Sequence, residues 1–138
     1  GPMAEGRVKS MLDGLGIPER LWESSMRHLS GGERNMVGLA RILVGEHDLM
    51  LLDEPGNHLD FSGLDWLETF LRASDKAFVV VSHNRYLLDR VCDRIWELDR
   101  GNLTEYTGNY SDYRAEKLTS QLGSGVRLQT GAEGYQAT

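Results

Sequence analysis

The chain lacks a G-x-x-x-x-G-K-[ST] loop, the glycine-rich turn whose backbone amides and lysine cradle phosphate groups. Its three lysines, Lys9, Lys76 and Lys117, each follow a residue other than glycine. A single cysteine, Cys92, excludes an internal disulfide and fits a reducing, cytoplasmic setting. In the stretch Val91-Cys92-Asp93-Arg94-Ile95-Trp96 it reads as a small core residue rather than a reactive thiol. No apolar run approaches the roughly 18 residues of a membrane-spanning helix, and no stretch reads as a signal peptide. Basic residues are in deficit, 15 Lys and Arg against 21 Asp and Glu, for a net charge of −6. That argues against a general basic surface for nucleic acid. Gly1-Pro2 ahead of Met3 reads as a protease-cleavage remnant of recombinant expression and is set outside the expected fold.

What is present suits a globular domain or a large piece of one. The chain has 138 residues, 40% of them hydrophobic and 26% charged. Apolar spacing predicts helices over 5–15 and 18–27, broken at Gly16-Ile17-Pro18, with Val8, Met11, Leu12 and Leu15 on one stripe. Ser30 is a helix cap with Glu33 three residues on, the pattern of a capping box. That helix is expected to reach Val44, bury Met36, Val37, Ala40, Leu43 and Val44, and stop at Gly45. Leu49–Leu52 reads as a strand buried on both faces. Asp60 caps a helix over 61–73, with Leu64, Leu67, Phe70 and Leu71 turned inward. Phe78–Val81 is a second buried strand, and 84–91 a helix. Arg94–Asp99 and Leu103–Tyr106 flank the turn Arg100-Gly101-Asn102, and Tyr110–Leu118 is a last helix. Residues 119–138 read as a flexible tail, with helical periodicity gone from Gln121 onward. Alternating apolar strands and helices predict an α/β layered domain with parallel core strands. Active residues of such sheets gather at the C-terminal ends of the strands. Asp53-Glu54 and Ser82-His83 both fall there.

Three clusters carry chemistry. An apolar strand that delivers Asp53-Glu54 to a loop suits a divalent cation on the first carboxylate and a water polarised by the second. Alone, the pair would also suit a solvated strand end. His83, at the end of a valine-rich strand, could donate to a phosphate oxygen or serve only as a structural donor. Ser30-Gly31-Gly32 exposes backbone amides at a helix N-terminus, where an anion is favoured. Alone, it would equally be an ordinary cap.

Together, in this order and spacing, the clusters resemble the ATP-binding-cassette (ABC) ATPases over about residues 5–118. Leu29-Ser30-Gly31-Gly32-Glu33 is similar to the ABC signature, Leu49–Glu54 to Walker B with its catalytic glutamate, Leu59-Asp60 to the D-loop and His83 to the H-switch. Asn57-His58-Leu59-Asp60, Ser82–Leu88 and Tyr106-Thr107-Gly108-Asn109-Tyr110-Ser111-Asp112-Tyr113 resemble the ABC-F subfamily, the cassette proteins that act on ribosomes. The resemblance implies a P-loop NTPase-like fold with a helical signature subdomain, covering 3–118 here. It implies ATP and Mg²⁺ as ligands and two cassettes meeting head to tail around them. Ser30, Gly31 and Gly32 would contact ATP held by the other cassette. Asp53 would support Mg²⁺, Glu54 would polarise the water, His83 would contact the γ-phosphate and Asp60 would couple the two sites. Gly56 departs from the threonine usual in ABC-F proteins.

The phosphate loop and Q-loop of a cassette are absent from these residues. The expectation is therefore an ATPase segment active only in its parent and inactive alone, with unpaired strand edges that invite self-association. The alternatives are a non-hydrolysing half-cassette that lends its signature to a partner, and the ATPase subunit of a transporter.

Overall fold

The computed structural model describes residues 2–123, in the order α1 (Pro2–Gly14), α2 (Gly31–Val44), β1 (Leu49–Asp53), α3 (Phe61–Ala73), β2 (Ala77–Val81), α4 (Arg85–Val91), β3 (Arg94–Asp99), β4 (Asn102–Thr107) and α5 (Tyr110–Gly123). The chain divides into two compact units after Val79. β1 and β2 are hydrogen-bonded neighbours in a parallel sheet, while β3 and β4 form a separate antiparallel pair. The α/β expectation holds.

In the first unit, α1 includes Pro2, ahead of the expected start. It ends in a glycine-based stop. Gly16 lies at φ 82°, its amide donates to Asp13 O (3.0 Å), and the Ile17 amide donates to Leu12 O (2.9 Å). This double bond satisfies carbonyls that the helix end leaves open. Met11 and Leu15 are buried, whereas Val8 is exposed. The helix expected over 18–27 is instead two 3₁₀ turns, Glu19–Leu21 and Met26–His28. Local bonds compete with a continuous helix there: Trp22 Nε1 donates to Ile17 O (2.9 Å) and Ser25 Oγ accepts from the Arg27 amide (3.4 Å). Only Leu21 of those two turns is buried.

α2 has the predicted boundaries and cap. Its buried residues are Leu39, Ala40 and Leu43, so the inner stripe includes Leu39, and Met36, Val37 and Val44 are half-buried. Gly45 is the C-cap, in extended rather than left-handed backbone. α3 matches its expected span, with Asp60 Oδ1 accepting from the Gly63 amide at 2.8 Å. Gly63 must lack a side chain, because a Cβ there would lie 2.9 Å from Leu15 O. β1 departs from expectation. Met50 and Leu52 are buried, but Leu49 is 52% and Leu51 67% exposed, so one face of the strand is covered and the other open.

In the second unit, the Arg100-Gly101 turn has both residues at positive φ (50° and 81°) and pairs Asp99 with Asn102. That is the turn whose twist suits a two-residue hairpin. α5 packs on α4 and on the hairpin. It continues past Leu118 to Gly123, so residues 119–123 are helical where a flexible tail was expected. The remainder of that tail, 124–138, lies outside the described residues.

Candidate functional site

Ser30 sits at the N-terminus of α2 in a reciprocal cap. Its Oγ accepts from the Glu33 amide (3.1 Å), and its amide donates to Glu33 Oε1 (2.9 Å). The bond from the Ser30 amide holds Glu33 below the usual carboxylate range. Partial desolvation opposes this, while the Ser30 hydroxyl and Arg20, whose Nη2 is 3.5 Å from Oε2, add to it. Gly31 has open space where a side chain would be. An oxyanion can therefore approach the first-turn amides, which have no partner within the helix.

Asp53 is the exposed last residue of β1. Glu54 follows at φ 46°, a left-handed backbone that a β-carbon disfavours. The chain turns sharply there and runs through Pro55 to Asp60. A cleft of about 410 Å³ opens between α2 and this turn, with Arg34, Asn35, Asp53, Glu54 and His58 on its walls. Exposed carboxylate oxygen is the donor type that a hard divalent cation and its waters accept. Asp53 therefore fits Mg²⁺ chemistry, and the Gly31 amides fit an anion. Asp60 spends its Oδ1 on capping α3.

His83 belongs to the second unit and is exposed. Ser82, buried just before it, accepts from the Asn84 amide (2.9 Å), and Asn84 Oδ1 accepts from the Leu87 amide (3.0 Å). Strand, histidine and helix start are thus fixed by two successive local caps.

The first unit brings the signature residues and the loop after β1 together through two residues that carried no role in the sequence analysis. His58 Nε2 lies 2.9 Å from Asn35 Nδ2. A Cβ at Gly32 would stand 3.2 Å from His58 Nδ1. The separation of 23 residues between Asn35 and His58 hides the contact from any local pattern.

The Tyr106–Tyr113 segment is architectural. Gly108, at φ 114°, has no room for a Cβ, which would meet Asp112 Oδ2 at 2.5 Å. Asn109 and Asp112 cap each other across the start of α5, at 3.0 and 2.9 Å. Tyr113 is fully buried, packs edge-on against Tyr106 and donates to Glu97 Oε2 (2.6 Å), which also accepts from Lys117 Nζ (2.6 Å).

The first unit thus sets a strand that ends in Asp53, with Glu54 just beyond it, beside a glycine-rich helix N-terminus, an arrangement of the P-loop NTPase-like class. The ABC transporter family model matches residues 3–57. The energy-dependent translational throttle protein EttA of Haemophilus influenzae is 42% identical over 117 residues, covering 85% of this chain and 21% of that protein. EttA of Escherichia coli K12 is 45% identical over 111 residues, 80% of this chain and 20% of that protein. Among solved structures, a complex of archaeal ribosomal stalk protein aP1 with the ribosome recycling factor aABCE1 matches with a TM-score of 0.61 and 27% identity. It covers 94% of this chain and 26% of that one. By these matches the chain is similar to part of an ABC ATPase domain, with ABC-F proteins among its relatives. It spans about a fifth of the length of the curated relatives it matches.

Proposed function

We propose that the segment serves ATP hydrolysis as the signature-to-H-switch part of an ABC-F cassette, in a full-length protein that pairs two cassettes head to tail. The observation that carries this reading is the strand end: Asp53 exposed, and Glu54 turned off the strand in left-handed backbone at φ 46°. Such a conformation is held against its own cost and is found at functional sites. In this reading Asp53 would hold Mg²⁺, and Glu54 would orient and polarise the attacking water. Bound Mg²⁺ supplies charge neutralisation on the phosphate oxygens. The Ser30 hydroxyl and the Gly31 and Gly32 amides donate to the γ-phosphate of ATP held by the other cassette. His83 donates to the γ-phosphate at its own site, and Asp60 couples the two sites.

The names of the relatives support a ribosomal partner and a cytoplasmic location. Residues 3–118 make up the cassette portion. The isolated chain is inactive, because it lacks the lysine and amides that hold the β- and γ-phosphates, each charge-assisted bond being worth about 1.5–3 kcal/mol. Its open β1 face, with Leu49 and Leu51 exposed, favours self-association. Light scattering of a concentrated solution is expected to show dimers or larger species, and a clean monomer counts against it. Steady-state ATPase assays test the main reading. The full-length protein hydrolyses ATP, its Glu54→Gln variant does not, and the isolated chain does not. Glu54-dependent turnover by the isolated chain would refute the division of labour.

A further inference from the structure

His58 stands on the loop that leaves Glu54, yet its ring lies on the first turn of α2. Gly32 and Asn35 are three residues apart on one helix face, and His58 meets both. The ring has Nδ1 3.2 Å from where a Gly32 side chain would begin, and Nε2 2.9 Å from Asn35 Nδ2. Glycine at position 32 therefore has a second reason beyond amide access, since a Cβ there would require the imidazole to yield by a few tenths of an ångström. With the Asn35 amide nitrogen donating, Nε2 accepts and Nδ1 carries the proton.

We propose that His58 is a positioning residue. It locks the loop bearing Glu54 to the Gly31-Gly32 turn, so that the water-orienting carboxylate and the anion-facing amides of one cassette move as one body. Asn35 is its anchor. Within the proposed ATPase reading, on which the inference rests, these two groups serve different phosphate sites. A shift at one glutamate is then handed through His58 to the amides that face the neighbouring nucleotide.

Two measurements test this. In the full-length protein, His58→Ala is expected to lower kcat about 10- to 100-fold with KM for ATP nearly unchanged, because a misplaced group about 1 Å away costs up to that much. His58→Gln, which still offers an acceptor to Asn35, restores most of the lost rate, and Asn35→Ala reproduces part of the loss. A wild-type kcat in His58→Ala, or a loss that merely follows the folded fraction and is not rescued by glutamine, overturns the proposal. Were Glu54→Gln also to hydrolyse ATP normally, the ATPase reading itself would be at fault. The second measurement is independent of turnover. In NMR spectra of the 138-residue chain, His58→Ala shifts the amide resonances of Gly31, Gly32 and Glu54 and leaves those of Leu87 and Leu88 in place. Unmoved Gly31 and Gly32 amides overturn the coupling.

Discussion

Residues 30–60 and residues 94–113 are equally distinctive in the sequence, yet they are built in opposite ways. The first stretch pairs some polar groups, Ser30 with Glu33 and Asn35 with His58, but leaves its strand end and first helical turn open: Asp53 is exposed, Gly31 has nothing over it, and Glu54 is held in a backbone region it does not prefer. The second turns its polar groups on themselves. Glu97 is buried and takes hydrogen bonds from both Tyr113 and Lys117, while Asn109 and Asp112 cap each other. A buried carboxylate is tolerated only when it is so satisfied. A motif can therefore mark a family for chemical or for architectural reasons, and burial with partner count separates the two.

The sharpest way to break this contrast is to find chemistry and stability moving together. Glu54→Gln in the full-length protein is expected to cut ATP turnover about 10²- to 10⁴-fold, the worth of a positioned general base, with an unchanged melting temperature. A large loss of stability instead would place Glu54 among the architectural residues. Gly108→Ala is the mirror image. It forces a β-carbon into φ 114° and onto Asp112, at about 3 kcal/mol for the strained backbone. Urea titration followed by circular dichroism reads the loss, and turnover per folded molecule stays level.

Cys92 sharpens the contrast within the second unit. Its thiol is pushed up to about 11, by burial first and by the Asp93 charge second. Less thiolate, partly offset by its greater nucleophilicity, predicts alkylation at pH 8 about tenfold slower than in the unfolded chain. Because the folded value lies above the unfolded one, Cys92's contribution to stability is whole below the ordinary thiol range. It disappears as pH rises through 11. Equal alkylation rates folded and unfolded would show an open environment. The smallest effect is at the helix cap: Ser30→Ala removes one of the paired bonds and destabilises by about 1 kcal/mol in a thermal melt. Glu33 lies below its ordinary value, so its share is present at neutral pH and fades as pH falls. A Glu33→Gln melt that keeps the wild-type acid profile would remove that share.

Much of this was legible because it is local. The caps at Ser30 and Asp60 and the Arg100-Gly101 turn are each decided within four residues, and α2, α3 and the hairpin followed from them, while α4 was expected to start at Asn84, which instead caps it. The region 18–27 misled, because its apolar spacing suits a helix while Trp22 and Ser25 divert the backbone into 3₁₀ turns. The run Leu49–Leu52 could not say which face is covered, since a buried strand and a half-open one share the same residues. His58 and Asn35 were out of reach because their meeting is purely tertiary. The extension of α5 to Gly123 was obscured by the weakly apolar, glycine-bearing sequence after Leu118.

Glu54 answers to two masters. Glycine at that position would relax a backbone held at φ 46°, gaining about 1 kcal/mol. It would also delete the carboxylate proposed to polarise the attacking water. Directed evolution for heat resistance alone would drift away from glutamate at this site, while selection for turnover would restore it. In the proposed ATPase reading, position 54 is thus where the most durable version of this protein and the working one differ.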